Sequence, residues 1–596
     1  MWERITDILY FNEAHPLLFT QGEFWLFLLV VMCIFSLIHS RIAMRNAFLF
    51  GMSIFFYYKT SGIFTLALLS AIVVSYFIGI AIEKANNKGW QKLWLTLGIV
   101  YSLSLLCYFK YAYFFADVFT QLSGNTFSIV EQILLPAGIP FYTFQCISYL
   151  LDIYRGRIHY VSSILDFGFY VSFFPQLVAG PIVRANEFIP QLHKKYFLSR
   201  RQFGIAMFWI LNGLIKKIVL SDYIAVNFVD RVFDNPLLYS GFENLCALFG
   251  YSLQVYADFS GYTDIAIGVA MLMGFYLPQN FNSPYKAKNP GEFWKRWHIS
   301  LSRWLQDYLY IPLGGNRNAT IGSFCIIIVI AGIASFLSGS WWVALGVAVV
   351  ALIVGLVAIF KPEKRRKITT NINSMDTMLL GGLWHGASWN FMIWGGLNGV
   401  GILGFKIWRH FKQWLRSLVS GLIFAAFFAC NYFWPSPVLM IFTVWSGVLF
   451  FGALVRCLYS AIWPSRDIPW LNNSWNIFMT FVFISFTRLF FRSGSNLDPA
   501  IANETAWNTA KAMVNSIGGQ WNTAAIPEIL SNYWPVFTLF VVGMIIHWLP
   551  EHFKRWYRVN FALMPIWLIG IVVVATIFVL YQFVTADLQP FIYFQF

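Results

Sequence analysis

The chain has 596 residues, 58% hydrophobic and 20% aromatic but only 11% charged, with a mean hydropathy of +0.63. A soluble domain carries about 25% charged residues, so the composition excludes a soluble globular enzyme and implies a polytopic membrane protein. The net charge of +15 does not imply a nucleic-acid partner, because the basic residues fall in short clusters between apolar spans, as the positive-inside rule expects.

Residues Met1–Glu23 are polar and mildly acidic with no basic n-region, which argues against a cleaved signal peptide. Apolar segments follow near 24–40, 46–58, 63–82, 93–109, 134–152, 163–180, 203–222, 241–256, 262–277, 322–338, 341–360, 377–403, 417–433, 437–459, 474–491, 535–549 and 561–583. Several fall short of the ~20 residues that a perpendicular span needs, which predicts re-entrant or broken helices. The basic stretches His39–Arg45, Glu83–Lys92, Lys361–Lys367, Lys406–Arg416 and His552–Arg558 are expected on the cytoplasmic side. The hydrophilic stretch Ser495–Tyr533, with Asp498, Glu504 and Glu528 against Lys511, is expected outside. Crossing by Phe561–Phe583 then leaves the tail Thr585–Phe596 on the outer face.

The expected architecture is all-α: one integral membrane domain in the inner membrane, with a core over about 24–410 and additional transmembrane helices over 411–583. An outer loop at 495–533 and an extracytoplasmic tail at 584–596 complete it. Cys33, Cys107, Cys146, Cys246, Cys325, Cys430 and Cys457 stand singly in apolar surroundings without Cys-x-x-Cys. They read as small buried hydrophobes, and no metal is expected.

Three segments carry polar chemistry. Tyr256-Ala-Asp-Phe-Ser-Gly-Tyr-Thr-Asp264 concentrates Asp258, Ser260 and Asp264, whose carboxylates could bind ions or serve in capping and packing. In Asn289–Tyr308, Asn289 reads as an N-cap, Pro290 as the first helical residue and Glu292 as a partner reaching back in a capping box. At 100° per residue, Trp294, Trp297, Leu301, Trp304, Leu305 and Tyr308 share one face, opposite Lys295, Arg296, Ser300, Arg303 and Asp307. That pattern predicts one interfacial amphipathic helix with His298 at the edge of its aromatic face. Taken alone, this histidine could simply cap a neighbouring carbonyl.

The third segment is Gly381-Gly-Leu-Trp-His-Gly-Ala-Ser-Trp-Asn390. An ionisable His385 in apolar sequence is a functional-site hypothesis by default, because hydrocarbon offers it no water. A neutral imidazole hydrogen-bonded between helices is the plain alternative. Gly381, Gly382, Gly386, Gly395 and Gly396 favour function, since they permit close approach of backbone or ligand.

At these residues the chain resembles the membrane-bound O-acyltransferase superfamily, and within it the bacterial alginate O-acetyltransferase branch. The resemblance runs through Pro136–Gln145, Phe174–Val183, Tyr256–Thr263, Phe281-Asn-Ser-Pro-Tyr285, Phe293-Trp-Lys-Arg-Trp-His298 and Leu383-Trp-His-Gly-Ala387. It implies a tunnel among irregular helices, with His385 as general base or polarising group and His298 as its partner or as the residue that positions the donor. Trp384, Asn390, Gln145, Asp258, Ser260 and Asn282 are candidates for the tunnel and substrate contacts. The two imidazoles are expected close enough to share one acyl group.

Imidazole, with a pKa of about 6.5, suits removal of a hydroxyl proton near neutrality, and neither Gly-x-Ser-x-Gly nor a nucleophilic cysteine context is evident. The last residues, Phe591-Ile-Tyr-Phe-Gln-Phe596, resemble the terminal Phe-x-Tyr-x-x-Phe motif of the small subunit that accompanies the D-alanyl-transferring member of the superfamily. There the tyrosine is read as an acyl relay, a role implied here for Tyr593. A phenol near pKa 10 leaves almost as readily as a thiol near 8.5; an interfacial aromatic anchor is the plain alternative.

The resemblance implies acetyl-CoA as the cytoplasmic donor substrate and no bound cofactor. Membrane lipid, an extracytoplasmic polysaccharide such as alginate as final acceptor, and a separate periplasmic or secreted acetyltransferase are the implied partners. The alternatives are another acceptor (teichoic acid, peptidoglycan or a lipid), or a transporter or flippase whose histidines relay protons.

Overall fold

The computed structural model describes residues 10–12, 16–125, 127, 129, 133–177, 180–463, 468–493, 502–584 and 591. Its described residues form helices and connecting turns without strands. Nine helical stretches among them are long and apolar enough to cross a membrane, or ten if the bent pair Thr523–Asn532 and Trp534–Trp548 is one span. The protein is therefore an all-α, multi-pass integral membrane protein.

At the centre runs Gly241–Leu272, opened by a reciprocal capping box between Ser240 and Glu243. It packs against Arg200–Leu214 through glycines. A Cβ on Gly213 would stand 2.5 Å from the Gly261 carbonyl oxygen, and one on Gly268 would stand 2.6 Å from that of Ala206. Two ion pairs then join these backbones, Lys217 to Asp258 at 2.6 Å and Lys216 to Asp264 at 2.6 Å. Asp258 and Asp264 are thus both buried and each faces a lysine.

Broken helices occur as the short apolar segments predicted. Five-residue or longer π-helical stretches interrupt the chain at Cys107–Tyr111, Ile215–Asp222, Ala225–Val229 and Gln306–Tyr310. The apolar stretch 377–403 is a helical hairpin, Arg365–His385 followed by Trp389–Trp408, and not a single span. Helix Trp341–Phe360 has no buried residue, and Ile321–Leu337 buries only Ser323, so this hairpin lies at the periphery.

One further expectation is corrected, that of the cysteines as buried residues. The hydrophilic stretch 495–533 contains the helix Ala502–Gly518. Ala506, Ala510, Met513 and Ile517, at helical spacing, are buried there. Of the cysteines only Cys146 is fully buried; Cys33 and Cys325 are exposed on apolar helices whose outward faces are themselves hydrophobic.

Candidate active site

The Asn289 N-cap and Pro290 start are as the sequence indicates: the Asn289 side chain accepts from the Glu292 backbone N–H. Glu292 reaches back one residue further than a capping box requires, to the Lys288 N–H at 3.0 Å. The single amphipathic helix does not form. One helix covers Pro290–Trp294 and a second Ile299–Leu305, with His298 between them at φ +44°. A non-glycine residue in that left-handed region costs about 1–3 kcal/mol and persists only where surroundings over-determine it. Here the Ile299 N–H donates to the Asn280 carbonyl and the Ser302 N–H to that of His298.

The break turns the histidine inward from the face edge, to complete burial. Trp297, Leu301, Trp304 and Tyr308 are buried as the aromatic face predicts, but so is Ser300 from the polar face. Ser300 is drawn in by Asn280, whose side-chain oxygen accepts from the Ser300 N–H at 3.0 Å and from its hydroxyl at 2.9 Å. The same oxygen stands 3.3 Å from His298 Nδ1. Because that oxygen is an acceptor for a backbone N–H, Nδ1 is the donor and Nε2 carries the lone pair. Burial disfavours the imidazolium form of His298.

His385 ends its helix and is likewise buried. Close backbone approach makes this possible, as the glycines suggest. A Cβ on Gly382 would lie 2.3 Å from the Phe391 carbonyl oxygen, and one on Gly395 would lie 2.2 Å from that of Met378. The orphan carbonyls of the helix terminus are met from the π-helical turn Cys107–Tyr111. Lys110 Nζ donates to the Trp384 and His385 carbonyls at 2.9 Å each, and the Tyr111 hydroxyl donates to that of Leu383 at 2.8 Å. A cation at a helix C-terminus also suits the dipole there.

The two imidazoles come together, with ring centroids 6.3 Å apart. Trp384 closes one side, 5.8 Å from His298 and 5.0 Å from His385. Phe259 stands edge-on to His298 at 4.7 Å, and Trp394 and Phe491 flank His385 at 5.0 and 5.4 Å. A water-poor aromatic box around two neutral imidazoles can accept a proton from a hydroxyl while protecting an activated acyl group from hydrolysis.

The other sequence candidates divide. Gln145 is buried on the helix whose Phe141 and Phe144 pack on Trp384, and Ser260 is buried beside Phe259. Asn390 is buried but donates to Ser493 Oγ at 2.9 Å, which makes it a helix–helix tie. Asn282 is exposed, and its backbone bonds to Arg296; the asparagine that holds the histidine is Asn280. Tyr593 lies outside the described residues. Phe591 is described: it is completely buried, 5.4 Å from Phe259 and 4.7 Å from Tyr262.

Sequence reasoning missed Asn280, Lys110 and Tyr111. A signal existed for Lys110, a lone lysine at the end of an apolar segment, since an ionisable residue within a span marks function by default. Arg488, inside the apolar stretch 474–491, carries the same signal.

Helices broken by π turns, a left-handed histidine and a second histidine at a helical hairpin thus build one buried centre. A sequence model of the membrane-bound O-acyltransferase family matches residues 18–328, and the chain belongs to that family. It is 36% identical over 384 residues to the peptidoglycan O-acetyltransferase of Helicobacter pylori, covering 60% of this chain and 64% of that one. To the probable alginate O-acetylase of Azotobacter vinelandii it is 38% identical over 342 residues, 56% of this chain and 58% of that one. To the teichoic acid D-alanyltransferase of Bacillus subtilis it is 25% identical over 290 residues, 47% and 62% of the two chains. The matched stretch thus spans less than two thirds of each of these relatives.

Proposed function

We propose that the protein is an O-acetyltransferase that takes acetyl from acetyl-CoA on the cytoplasmic side of the inner membrane and passes it toward an extracytoplasmic polysaccharide, alginate or another such polymer. The observation that carries this reading is the 6.3 Å spacing of the His298 and His385 rings in the buried core of a family member. One acyl carbonyl can touch both. The relatives named for peptidoglycan and alginate both concern O-acetylation of a polysaccharide.

In the proposed reaction an acceptor hydroxyl gives its proton to His385 while its oxygen bonds to the thioester carbon. Collapse of the tetrahedral adduct breaks the C–S bond, and the departing thiolate takes a proton from the imidazolium. His298, with its lone pair on Nε2, orients the hydroxyl or the donor. Tyr593 is the first acceptor in this scheme, and its aryl ester retains the reactivity needed for a second transfer by a separate periplasmic or secreted acetyltransferase. The seat of Phe591 beside Phe259, itself in contact with His298, supports that step.

The test is transfer of labelled acetyl from acetyl-CoA by the purified protein in liposomes. His385→Ala should abolish transfer, and His298→Ala should reduce it by roughly a hundredfold, with folding intact in both. Tyr593→Phe should abolish polymer acetylation, and mass spectrometry of the wild-type C-terminal peptide should show acetyl on Tyr593. Undiminished transfer by His385→Ala would sink the assignment of the centre; full polymer acetylation by Tyr593→Phe would leave direct transfer as the mechanism.

A further inference from the structure

Arg488 lies in the helix Pro469–Ser493 and is 1% exposed, and none of its three guanidinium nitrogens has a hydrogen-bond acceptor among the described residues. Four residues on, Arg492 is paired with Asp230 at 3.0 Å. Among the described residues, one buried guanidinium of this helix therefore meets a carboxylate and the other only aromatic rings. Arg488 stacks on Trp297 at 4.2 Å, with Tyr285 and Phe293 at 5.9 and 6.0 Å. Cation–π contacts offset only part of the cost of burying an ion.

Its position gives the unpaired charge a meaning. Phe491, which flanks the His385 ring at 5.4 Å, lies three residues further along the same helix. Three residues advance about 4.5 Å and keep to one face, so Arg488 is one turn from the level of His385. The ring on which it stacks belongs to Trp297, the residue before His298. The guanidinium is thus set between the two histidine-bearing segments.

We propose that Arg488 is a further catalytic residue of this centre, which neutralises the negative charge that acyl transfer creates. The inference rests on the acyl-transfer reading. As the hydroxyl oxygen bonds to the carbonyl carbon, its proton passes to His385 and the carbonyl π pair moves onto oxygen. That oxyanion, and then the thiolate released when the C–S bond breaks, is the anion Arg488 meets. A permanent carboxylate partner would occupy its donors; rings hold the cation in place and leave the donors for charge that develops only in the reaction. The phosphates of a CoA thioester lie at the far end of the pantetheine arm, well beyond one helical turn from the reacting carbon.

The experiment compares the full-length wild type with Arg488→Met and Arg488→Lys, measuring kcat and KM for acetyl-CoA together with thermal unfolding. Arg488→Met should lower kcat by roughly a hundredfold, leave KM unchanged, and keep or raise the melting temperature, because an unpaired buried charge is removed. Arg488→Lys, which keeps the charge, should recover part of kcat. A wild-type kcat in Arg488→Met overturns the proposal. So does a rise in KM at unchanged kcat, which would assign the residue to a resident anion, or a fall in kcat that tracks a lower melting temperature without rescue by lysine. Absence of acetyl transfer by the wild type would sink the acyl-transfer reading itself, and this inference with it; an active wild type with an equally active Arg488→Met sinks this inference alone.

Discussion

Two helices of this molecule make opposite use of the membrane. Trp341–Phe360 carries no polar side chain and buries no residue, whereas Gly241–Leu272 buries most of its length, including Asn244, Ser252, Gln254, Asp258, Ser260, Thr263 and Asp264. The most apolar helix is outermost because lipid is its solvent, and hydrophobicity earns it no place in the core. Polar groups are drawn inward, where other helices can satisfy them. The histidine centre belongs wholly to the second kind of environment, and its helix Arg365–His385 is absent from the stretches apolar enough to span.

That contrast can be broken most forcefully at the ion pairs. Lys217 contacts Asp222 at 2.7 Å and Asp258 at 2.6 Å, all in the interior. Lys217→Met should destabilise the protein by about 3–5 kcal/mol, because two buried carboxylates lose their cation. Denaturant or thermal unfolding measures this, and adding Asp258→Leu and Asp222→Leu should recover part of the loss. A neutral single variant would mean that polar burial here is not structural.

The next largest effect is expected at the helix terminus under His385. Lys110→Met leaves the Trp384 and His385 carbonyls without their donor, at about 1–3 kcal/mol for a buried group left unsatisfied. The more telling readout is activity: under the proposed acyl-transfer function, Lys110 as a positioning residue should affect kcat more than KM for the donor. Equal losses in stability and activity, with no change in kcat per folded molecule, would reduce Lys110 to a packing role.

A paired glycine comparison sharpens the contrast at its small end. Gly395→Ala places a Cβ against the Met378 carbonyl and should cost about 1–3 kcal/mol as overpacking. Gly346→Ala, in the peripheral helix with nothing within 4 Å of a built Cβ, should be neutral or slightly stabilising. Equal effects at the two sites would show that helix Trp341–Phe360 is packed against protein after all.

Much of this protein was determined by sequence alone. Low charge and long apolar runs dictate a membrane bundle, because hydrocarbon leaves the backbone no partner outside a helix. His385 stands out as an ionisable group in an apolar segment and His298 as a histidine at the edge of an aromatic face, and the glycines around His385 announce the close backbone approach that Gly382 and Gly395 make. Tertiary structure decided the rest. A period of 3.6 residues says which side chains share a face, so it extends one helix through Asn289–Tyr308 and cannot foresee a left-handed turn at His298 held by Asn280. It is equally silent on Lys110, 274 residues from the Trp384 carbonyl it meets, and on Arg488 beside Trp297. Burial sets what these charges do, and burial arises only when segments remote along the chain are packed together.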